Sequence, residues 1–244
     1  MNTLPSKTLS QIVTEQYETA SIFEKYQLDY CCRGKRSLEE ACIEKHIPLA
    51  EVLTDLQKVM PGKNNKIDFD KITLSGLVDY IVGNHHTYVK QEIPRILSYL
   101  EKVTTKHGNY HNELYKIAEL FMELSNEMNP HLEAEETILF PRIKQLEKNR
   151  CEPFTYEINS FEYLQLPIID MVDGHEDVGN IMAEIRKLTD NYTPPENSCT
   201  TYKILFSSLS AFEVDLHHHV HLENSILFPK ALALEKEIKK ELQN

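Results

Sequence analysis

The sequence predicts an all-α protein in which a small N-terminal helical domain precedes a four-helix bundle. The composition is the first observation that supports this fold class. The 244 residues include only seven glycines and are rich in Leu, Ile, Glu and Lys, which favours helices over sheets. The second observation is a set of four long stretches after Ile72 in which apolar residues recur every three or four positions. This spacing is typical of helices that bury one face in a bundle.

The first helices are expected within residues 1–60, the predicted N-terminal domain. Apolar residues between Leu9 and Tyr26 fall at helical spacing and predict one helix there. Ser37, with a glutamate three positions later, has the form of a capping box that opens a second helix ending near His46.

Pro48 suits the first turn of a third helix, and this completes a domain that is only marginally stable by itself. We therefore expect the domain to pack on the rest of the chain or on a second subunit, which would make a homodimer. The segment Met60–Asn65 contains adjacent Pro and Gly and is the predicted linker. Residues 66–244 are then expected to form the bundle.

Each of the four bundle helices is predicted from an apolar stripe whose steps are all three or four residues. The stripes run from Val82 to Val103, from Leu114 to Ile138, from Ile168 to Ile185 and from Leu205 to Ile226. Connections are expected near residues 104–109, 150–163 and 191–199.

Six polar side chains lie on these otherwise apolar stripes. They are His86, His131, Glu135, His175, His219 and Glu223. Other polar neighbours fall off the stripes, namely His85, Glu133, Glu136, His217, His218 and His221. A single buried histidine is usually satisfied by a hydrogen bond. That explanation is poor for six such residues, because unpartnered polar groups cost several kcal/mol to bury.

An internal repeat contains most of the same residues. The pattern H-x-x-x-E-x-x-I-L-F-P occurs at residues 131–141 and again at residues 219–229. His86 precedes the histidine of the first copy by 45 residues, and His175 precedes that of the second copy by 44. Because potential metal ligands recur at matching places, the repeat indicates a functional site.

The residue types in this pattern predict two metal ions. A histidine and a glutamate four residues apart face the same way and can bind one centre. Four imidazoles and two carboxylates resemble the inward-facing ligand sets of di-iron bundles. We therefore expect two metals, each with two histidines, sharing Glu135 and Glu223 and an oxo or hydroxo ligand. Iron, manganese and zinc all suit such ligands, so the residues by themselves leave the metal open.

The repeat also places Pro141 and Pro229 one to two turns beyond the glutamates. Each proline removes an amide donor and crowds the carbonyl four residues earlier, which predicts a kink. A tolerated kink without function is the alternative.

The adjacent residues Cys31 and Cys32 form the second chemical feature. Basic residues at positions 33, 35 and 36 favour thiolate, which could bind iron, nitric oxide or a partner's thiol. The pair is thus a candidate for redox or transfer chemistry. The alternative is two partly buried thiols at a tight turn. The remaining cysteines are interpreted as structural: Cys42, Cys151 and Cys199.

Charge and cysteine usage exclude several classes of protein. The net charge of −12 argues against binding to nucleic acid or to an anionic membrane, since both need a basic face. No apolar run approaches the roughly 20 residues of a membrane-spanning helix. Five cysteines, two of them adjacent, do not indicate a disulfide framework, which favours a reducing, cytoplasmic setting.

Together these motifs resemble the di-iron proteins that repair iron–sulfur clusters (the RIC, or ScdA/YtfE-type, family), whose bundle is hemerythrin-like. The resemblance rests on residues 29–32 with Gly34-Lys35, on both copies of the repeat, and on residues 193–195 leading to 199–201. It implies that the six stripe residues are iron ligands and that the protein restores clusters damaged by nitric oxide or oxidants. Its partners would be damaged iron–sulfur proteins or cluster assembly proteins.

The chain departs from the family in two places. Arg33 stands where relatives often have glycine, and the run His217-His218-His219 is unusually rich in imidazole. Because His217 and His221 are four residues apart, a second, adventitious metal site on the surface is an alternative.

Three functions remain open from sequence. The first is a repair protein that supplies iron or removes nitric oxide and is not itself an enzyme. The second is a carrier or sensor of oxygen or nitric oxide, and the third is an enzyme that reduces nitric oxide or peroxide. The Cys31-Cys32 unit favours the first, because a simple oxygen carrier has no need of it.

Overall fold

The computed structural model describes residues 4–60, 69–149 and 163–242. Over these residues the chain forms helices and one isolated β-bridge, between Thr8 and Ser37, but no strand. The predicted all-α class is confirmed. Most of the predicted linker, most of the connection at 150–163 and Cys151 lie outside the described residues.

From residue 4 to residue 60, the N-terminal domain contains four short α-helices. They are α1 (Leu9–Glu15), α2 (Ala20–Lys25), α3 (Leu38–Glu44) and α4 (Leu49–Val59). The single helix predicted from Leu9 to Tyr26 is wrong, because Gln16 is extended and a 3-10 turn at Tyr17–Thr19 separates α1 from α2. The capping box of Ser37 is confirmed, since its hydroxyl accepts from the Glu40 amide and the Glu40 carboxylate accepts from the Ser37 amide.

Over its described residues, the bundle contains seven α-helices that combine into four long ones. They are α5 (Leu74–Ile81), α6 (Thr87–His107), α7 (Glu113–Ala134), α8 (Phe140–Asn149), α9 (Gln165–Leu188), α10 (Thr200–His221) and α11 (Phe228–Leu242). Three π-helical turns join α5 to α6, α7 to α8 and α10 to α11, at Val82–His86, Glu135–Leu139 and Leu222–Leu227. Helix α6 packs on α7 and α10, while α7 also packs on α9.

The π turns change the helical register at the site. The amide of Phe140 bonds to the carbonyl of Glu135, five residues earlier, so one extra residue enters the turn. As a result Ile138, predicted on the buried stripe, is 48% exposed, and Leu139 takes its place in the core at 1%. Pro141 lies two residues beyond the end of this turn, as Pro229 does beyond the end of the third. Each proline has no backbone N–H to donate, and it lies next to the place where the hydrogen-bond register changes.

Two apolar clusters fill the bundle on either side of the polar residues. The first joins the N-terminal domain to α6, α7, α9 and α10. The second is built from α5, α8 and α11 with the ends of their neighbours. The six polar stripe residues lie in the layer between these clusters, where apolar packing from both sides restricts their movement.

The N-terminal domain packs on the bundle of its own chain, which was one of the two predicted arrangements. Its Tyr30 ring is buried against the rings of His217 and His221, at centroid distances of 6.1 and 5.5 Å. Glu24 Oε1 lies 2.7 Å from His217 Nδ1, and Thr14 Oγ1 lies 3.4 Å from His221 Nε2. The surface metal site considered for these two histidines is therefore wrong, because the N-terminal domain covers both.

Over the part of the chain that the structure covers, every helix is too short or too polar to span a lipid bilayer.

Candidate metal centre

All six predicted ligands meet in the polar layer of the bundle. Five of them are at most 2% exposed, and His131 is slightly more accessible, with 9% of its side chain exposed. Each of the four long helices contributes at least one of the six. The π turns place three of them, since His86 ends the first turn, Glu135 begins the second and Glu223 lies in the third.

The four imidazoles form two pairs. Nε2 of His86 lies 3.1 Å from Nε2 of His219, and Nε2 of His131 lies 3.0 Å from Nε2 of His175. Two nitrogens bound to one ion at about 2.0–2.1 Å, at an angle near 90°, lie about 3 Å apart. Each pair therefore has the spacing of two ligands of a single ion.

The two carboxylates lie between these pairs and face both. Oε2 of Glu135 is 3.5 Å from Nε2 of His86, while Oε1 is 3.5 Å from Nε2 of His131. Oε1 of Glu223 is 3.0 Å from Nε2 of His219, and its Oε2 is 3.2 Å from Nε2 of His175. Each carboxylate thus directs one oxygen to each histidine pair, which is the geometry of a bridge between two cations.

The hydrogen bonding of the carboxylates fits bound cations. Both oxygens of Glu135 and Oε2 of Glu223 are buried without a hydrogen-bond partner. A carboxylate in such a place is costly unless a positive charge lies beside it. Donor atoms from His86, Glu135, His219 and Glu223, and from His131, Glu135 and His175, form two groups compact enough to hold an ion.

Electrostatics also favour positive charge at this place. Burial would raise the pKa of the Glu223 carboxyl, but the charge of His219 and its hydrogen bond to Oε1 hold that pKa well below its usual range. Burial would lower the pKa of His219, and Glu223 raises it above its ordinary value. The layer therefore keeps an ionised carboxylate that a metal cation can neutralise.

The chain matches two family models along most of its length. Residues 77–231 match the Hemerythrin HHE cation binding domain, and residues 5–60 match ScdA_N, a Domain of Unknown function (DUF542). A Haemophilus influenzae protein named "Probable iron-sulfur cluster repair protein" is 33% identical over 227 residues, which cover 92% of this chain and 96% of the relative.

Two further relatives have similar names and coverage. The "Iron-sulfur cluster repair protein YtfE" of an Enterobacter species is 30% identical over 225 residues, covering 92% of this chain and 96% of that protein. The "Iron-sulfur cluster repair protein ScdA" of Staphylococcus haemolyticus is 28% identical over 222 residues, with coverage of 91% and 96%. The chain belongs to this family of hemerythrin-domain proteins.

In each copy of the repeat, the residue after the glutamate contacts the histidine that precedes that copy. Glu136 Oε1 lies 2.7 Å from Nδ1 of His86, and Asn224 Oδ1 lies 3.0 Å from Nδ1 of His175. Glu136 was correctly predicted to lie off the ligand stripe, but its contact with His86 was missed. The sequence did contain a sign of this contact, because Glu136 and Asn224 occupy equivalent positions in the two copies of the repeat. Such outer contacts fix the ring and its tautomer.

Glu136 is itself held by Lys90, whose Nζ lies 2.7 and 2.8 Å from the two carboxylate oxygens. Burial raises the pKa of the Glu136 carboxyl, but the hydrogen bonds from Lys90 and His86 have the larger combined effect and lower it. His86 therefore donates to an ionised carboxylate.

The phenylalanine of each repeat stacks on the histidine that precedes the repeat. The Phe140 ring lies 5.5 Å from that of His86, and the Phe228 ring lies 6.2 Å from that of His175 and parallel to it within 2°. The repeated L-F-P segment therefore closes the apolar side of the layer.

His85 was predicted to point away from the site, but the structure buries it against the predicted ligand His219. Its ring is stacked on that of His219 at 5.7 Å, and its Nδ1 lies 2.9 Å from Asp215 Oδ1. The π turn contributes to this change, because it alters the register in which helical stripes are counted.

Gly174 gives a first testable prediction. A Cβ atom there would lie 3.0 Å from Nδ1 and 3.3 Å from Cε1 of His131. Because the ring would have to move by a few tenths of an ångström and so change its position relative to His175, we expect Gly174→Ala to lower metal affinity roughly tenfold, at the low end of second-shell effects. Gly83→Ala is the control, since its Cβ would meet nothing within 4 Å. Metal titration at equal protein concentration measures both, and equal affinities would contradict the contact.

The cysteine pair lies on the N-terminal domain above α9. The Sγ atoms of Cys31 and Cys32 are 3.5 Å apart. Asp29 Oδ1 accepts hydrogen bonds from the backbone amides of both residues. The hydrogen bond to Cys32, with burial, raises the pKa of the Cys31 thiol well above its ordinary value. The prediction that basic neighbours favour thiolate is therefore wrong for Cys31. Arg36, one of those neighbours, pairs with Glu44 instead.

Cys32 lies beside the helix that carries His175. Its Sγ lies 3.5 Å from the backbone carbonyl oxygen of His175. A groove of about 480 Å³ is lined by both cysteines and by Asn224, which contacts the His175 ring. Cys42 is buried in the apolar core, and Cys199 Sγ lies 3.3 Å from His107 Nε2, so both contacts agree with structural roles.

Proposed function

We propose that this protein repairs iron–sulfur clusters damaged by nitrosative or oxidative stress, and that it does so by supplying iron from a labile di-iron centre. Three relatives that match over more than nine-tenths of the chain are named as iron–sulfur cluster repair proteins. The observation that carries the metal assignment is the division of both carboxylates between two histidine pairs.

In this proposal one iron is bound by His86 and His219 and the other by His131 and His175. Glu135 and Glu223 each bridge the two, with a solvent-derived oxo or hydroxo ligand. The donor set also suits manganese or zinc, and the repair role of the relatives favours iron.

Release of iron follows from the same ligands. Protonation of Glu135 or Glu223 would weaken both metal sites at once. Iron(II) is bound less tightly by carboxylate and oxo ligands than iron(III) is, so reduction favours release. We therefore expect the reduced protein to donate iron and the oxidised protein to retain it.

The cysteine pair would take part in transfer. Cys31, Cys32 and Asp29 place donor atoms within 4.8 Å of one another. Cys32 is only half-buried and lies beside the helix of His175. Iron leaving the centre would thus meet thiols before it reaches a damaged iron–sulfur protein or a cluster assembly protein. Free cysteines at the described positions fit the predicted cytoplasmic setting.

The decisive experiment uses labelled iron. Full-length protein loaded with labelled iron is mixed with a nitric-oxide-damaged iron–sulfur enzyme, and the repaired cluster is assayed for label. Recovery of activity together with label supports donation. Recovery without label rejects donation and favours removal or reduction of nitric oxide. Reversible oxygen binding without any recovery favours a carrier or sensor.

A further inference from the structure

We infer that the two halves of the di-iron centre are unequal, and that the iron bound by His131 and His175 is released first. This inference rests on the proposed function and specifies which iron is donated. It follows from a difference between two positions that the internal repeat makes equivalent.

The difference lies in the residue that follows each bridging glutamate. In the first copy it is Glu136, whose carboxylate is 2.7 Å from Nδ1 of His86. In the second copy it is Asn224, whose amide oxygen is 3.0 Å from Nδ1 of His175. Because the Nε2 atoms of both histidines face the metal, Nδ1 carries the proton and donates in each case.

A carboxylate acceptor makes an imidazole a stronger ligand than an amide acceptor does. It draws the Nδ1 proton more strongly and so increases electron density at Nε2. Losing such a partner typically lowers metal affinity about 10–100-fold. Lys90 contacts both oxygens of Glu136 and fixes its orientation toward His86. The His86–His219 half is therefore the tighter one.

The burial of the histidine side chains also indicates that the His86–His219 half is the tighter one. The His86 and His219 side chains are at most 1% exposed, whereas His131 is 9% exposed, the most of the six. The ring of His219 is also covered by the parallel ring of His85. Water or a competing ligand consequently reaches the His131–His175 half first.

The weaker half also lies beside the thiol pair. Asn224 lines the groove that contains Cys31 and Cys32, and Cys32 Sγ is 3.5 Å from the carbonyl oxygen of His175. Release is ligand exchange with no electron transfer. Iron(II) leaves the Nε2 atoms of His131 and His175 and one oxygen of each glutamate, and binds the acceptor's donor atoms. Water and protons then satisfy the protein groups.

The test uses two isosteric substitutions in the full-length, reduced, iron-loaded protein. Glu136→Gln gives the first half an amide acceptor, and Asn224→Asp gives the second half a carboxylate. Glu133→Gln, on an exposed side chain nearby, is the matched control. Iron transfer to the ferrous chelator ferrozine is followed by its absorbance.

We expect the unsubstituted protein to release its two irons in two phases of equal amplitude. Glu136→Gln should accelerate the slow phase about tenfold and leave the fast phase unchanged. Asn224→Asp should slow the fast phase about tenfold, and Glu133→Gln should change neither. Mössbauer spectra of half-depleted, ⁵⁷Fe-loaded protein should show a single type of iron remaining.

Release in one phase, or an equal effect of both substitutions on both phases, would overturn the inference. If a variant does not fold, the half-depleted spectra of the unsubstituted protein decide, since two types of remaining iron would contradict sequential release. These outcomes are separate from those for the proposed function. Two-phase release without label in the repaired cluster contradicts donation only, whereas single-phase release with label contradicts the inequality only.

Discussion

Replacing Glu135 with leucine is expected to remove both metal ions, reducing the iron content from about two per chain to near zero. Each oxygen of this carboxylate faces a different histidine pair, so in the proposed centre one substitution would remove a ligand from both ions. His131→Ala, by comparison, should mainly deplete the half that it shares with His175. Metal analysis of protein purified and reconstituted in parallel measures the difference.

Glu133→Leu is the control for this prediction. It makes the same substitution two residues earlier, on an exposed side chain, and should retain both irons. Misfolding is tested by the thermal stability of the metal-free proteins. A buried carboxylate without hydrogen-bond partners can be replaced by an apolar side chain at little cost. Metal-free Glu135→Leu should therefore melt no lower than metal-free unsubstituted protein. Two irons bound to a folded Glu135→Leu variant would refute the bridge.

Replacing Cys31 and Cys32 together with serine is expected to abolish cluster repair while leaving the iron content unchanged. Neither thiol is among the groups that surround the two histidine pairs, yet Cys32 contacts the backbone of the helix that carries His175. Serine preserves the size of the side chain but removes the soft donor that iron favours. Iron content and transfer of labelled iron, measured on the same sample, separate storage from delivery.

Cys199→Ser is the matched control for this change. The Sγ of Cys199 contacts His107, and both residues are distant in sequence from Cys31 and Cys32. It should retain full repair activity. Full activity in the Cys31→Ser/Cys32→Ser protein would assign the pair to structure. Substitution is a cleaner test than deletion of the N-terminal domain, since Leu9, Phe23 and Tyr30 belong to the same apolar cluster as α6, α7, α9 and α10. Removing the N-terminal domain would expose that cluster and the histidines beneath it.

The sequence by itself identified the six residues that converge in the bundle. An α-helix has a fixed period, so polar residues in register with a buried apolar stripe must enter the core. That argument placed all six residues, and the repeat showed that they recur at matching positions in the two copies. Local chemistry also predicted the capping box at Ser37, since it depends only on residues three apart.

A constant helical period predicted the wrong buried residues where a π turn changes that period. The extra residue in the π turn at Glu135–Leu139 exposed Ile138 and buried Leu139. The same effect helped to hide the contact between His85 and His219. A π turn is stabilised by what its side chains bind and pack against, so apolar spacing gives no direct sign of it.

Only the tertiary structure decided what surrounds the ligands and the cysteines. His217 and His221 read as surface residues until Tyr30 and Glu24 of the N-terminal domain covered them. The basic neighbours of Cys31 suggested a low thiol pKa, but burial and Cys32 raise it. Contact with Glu136 or Asn224 distinguishes the two histidine pairs, and neither contact follows from helical period. Period and spacing act along one helix, whereas burial, hydrogen bonding and pKa depend on groups that folding brings from distant parts of the chain.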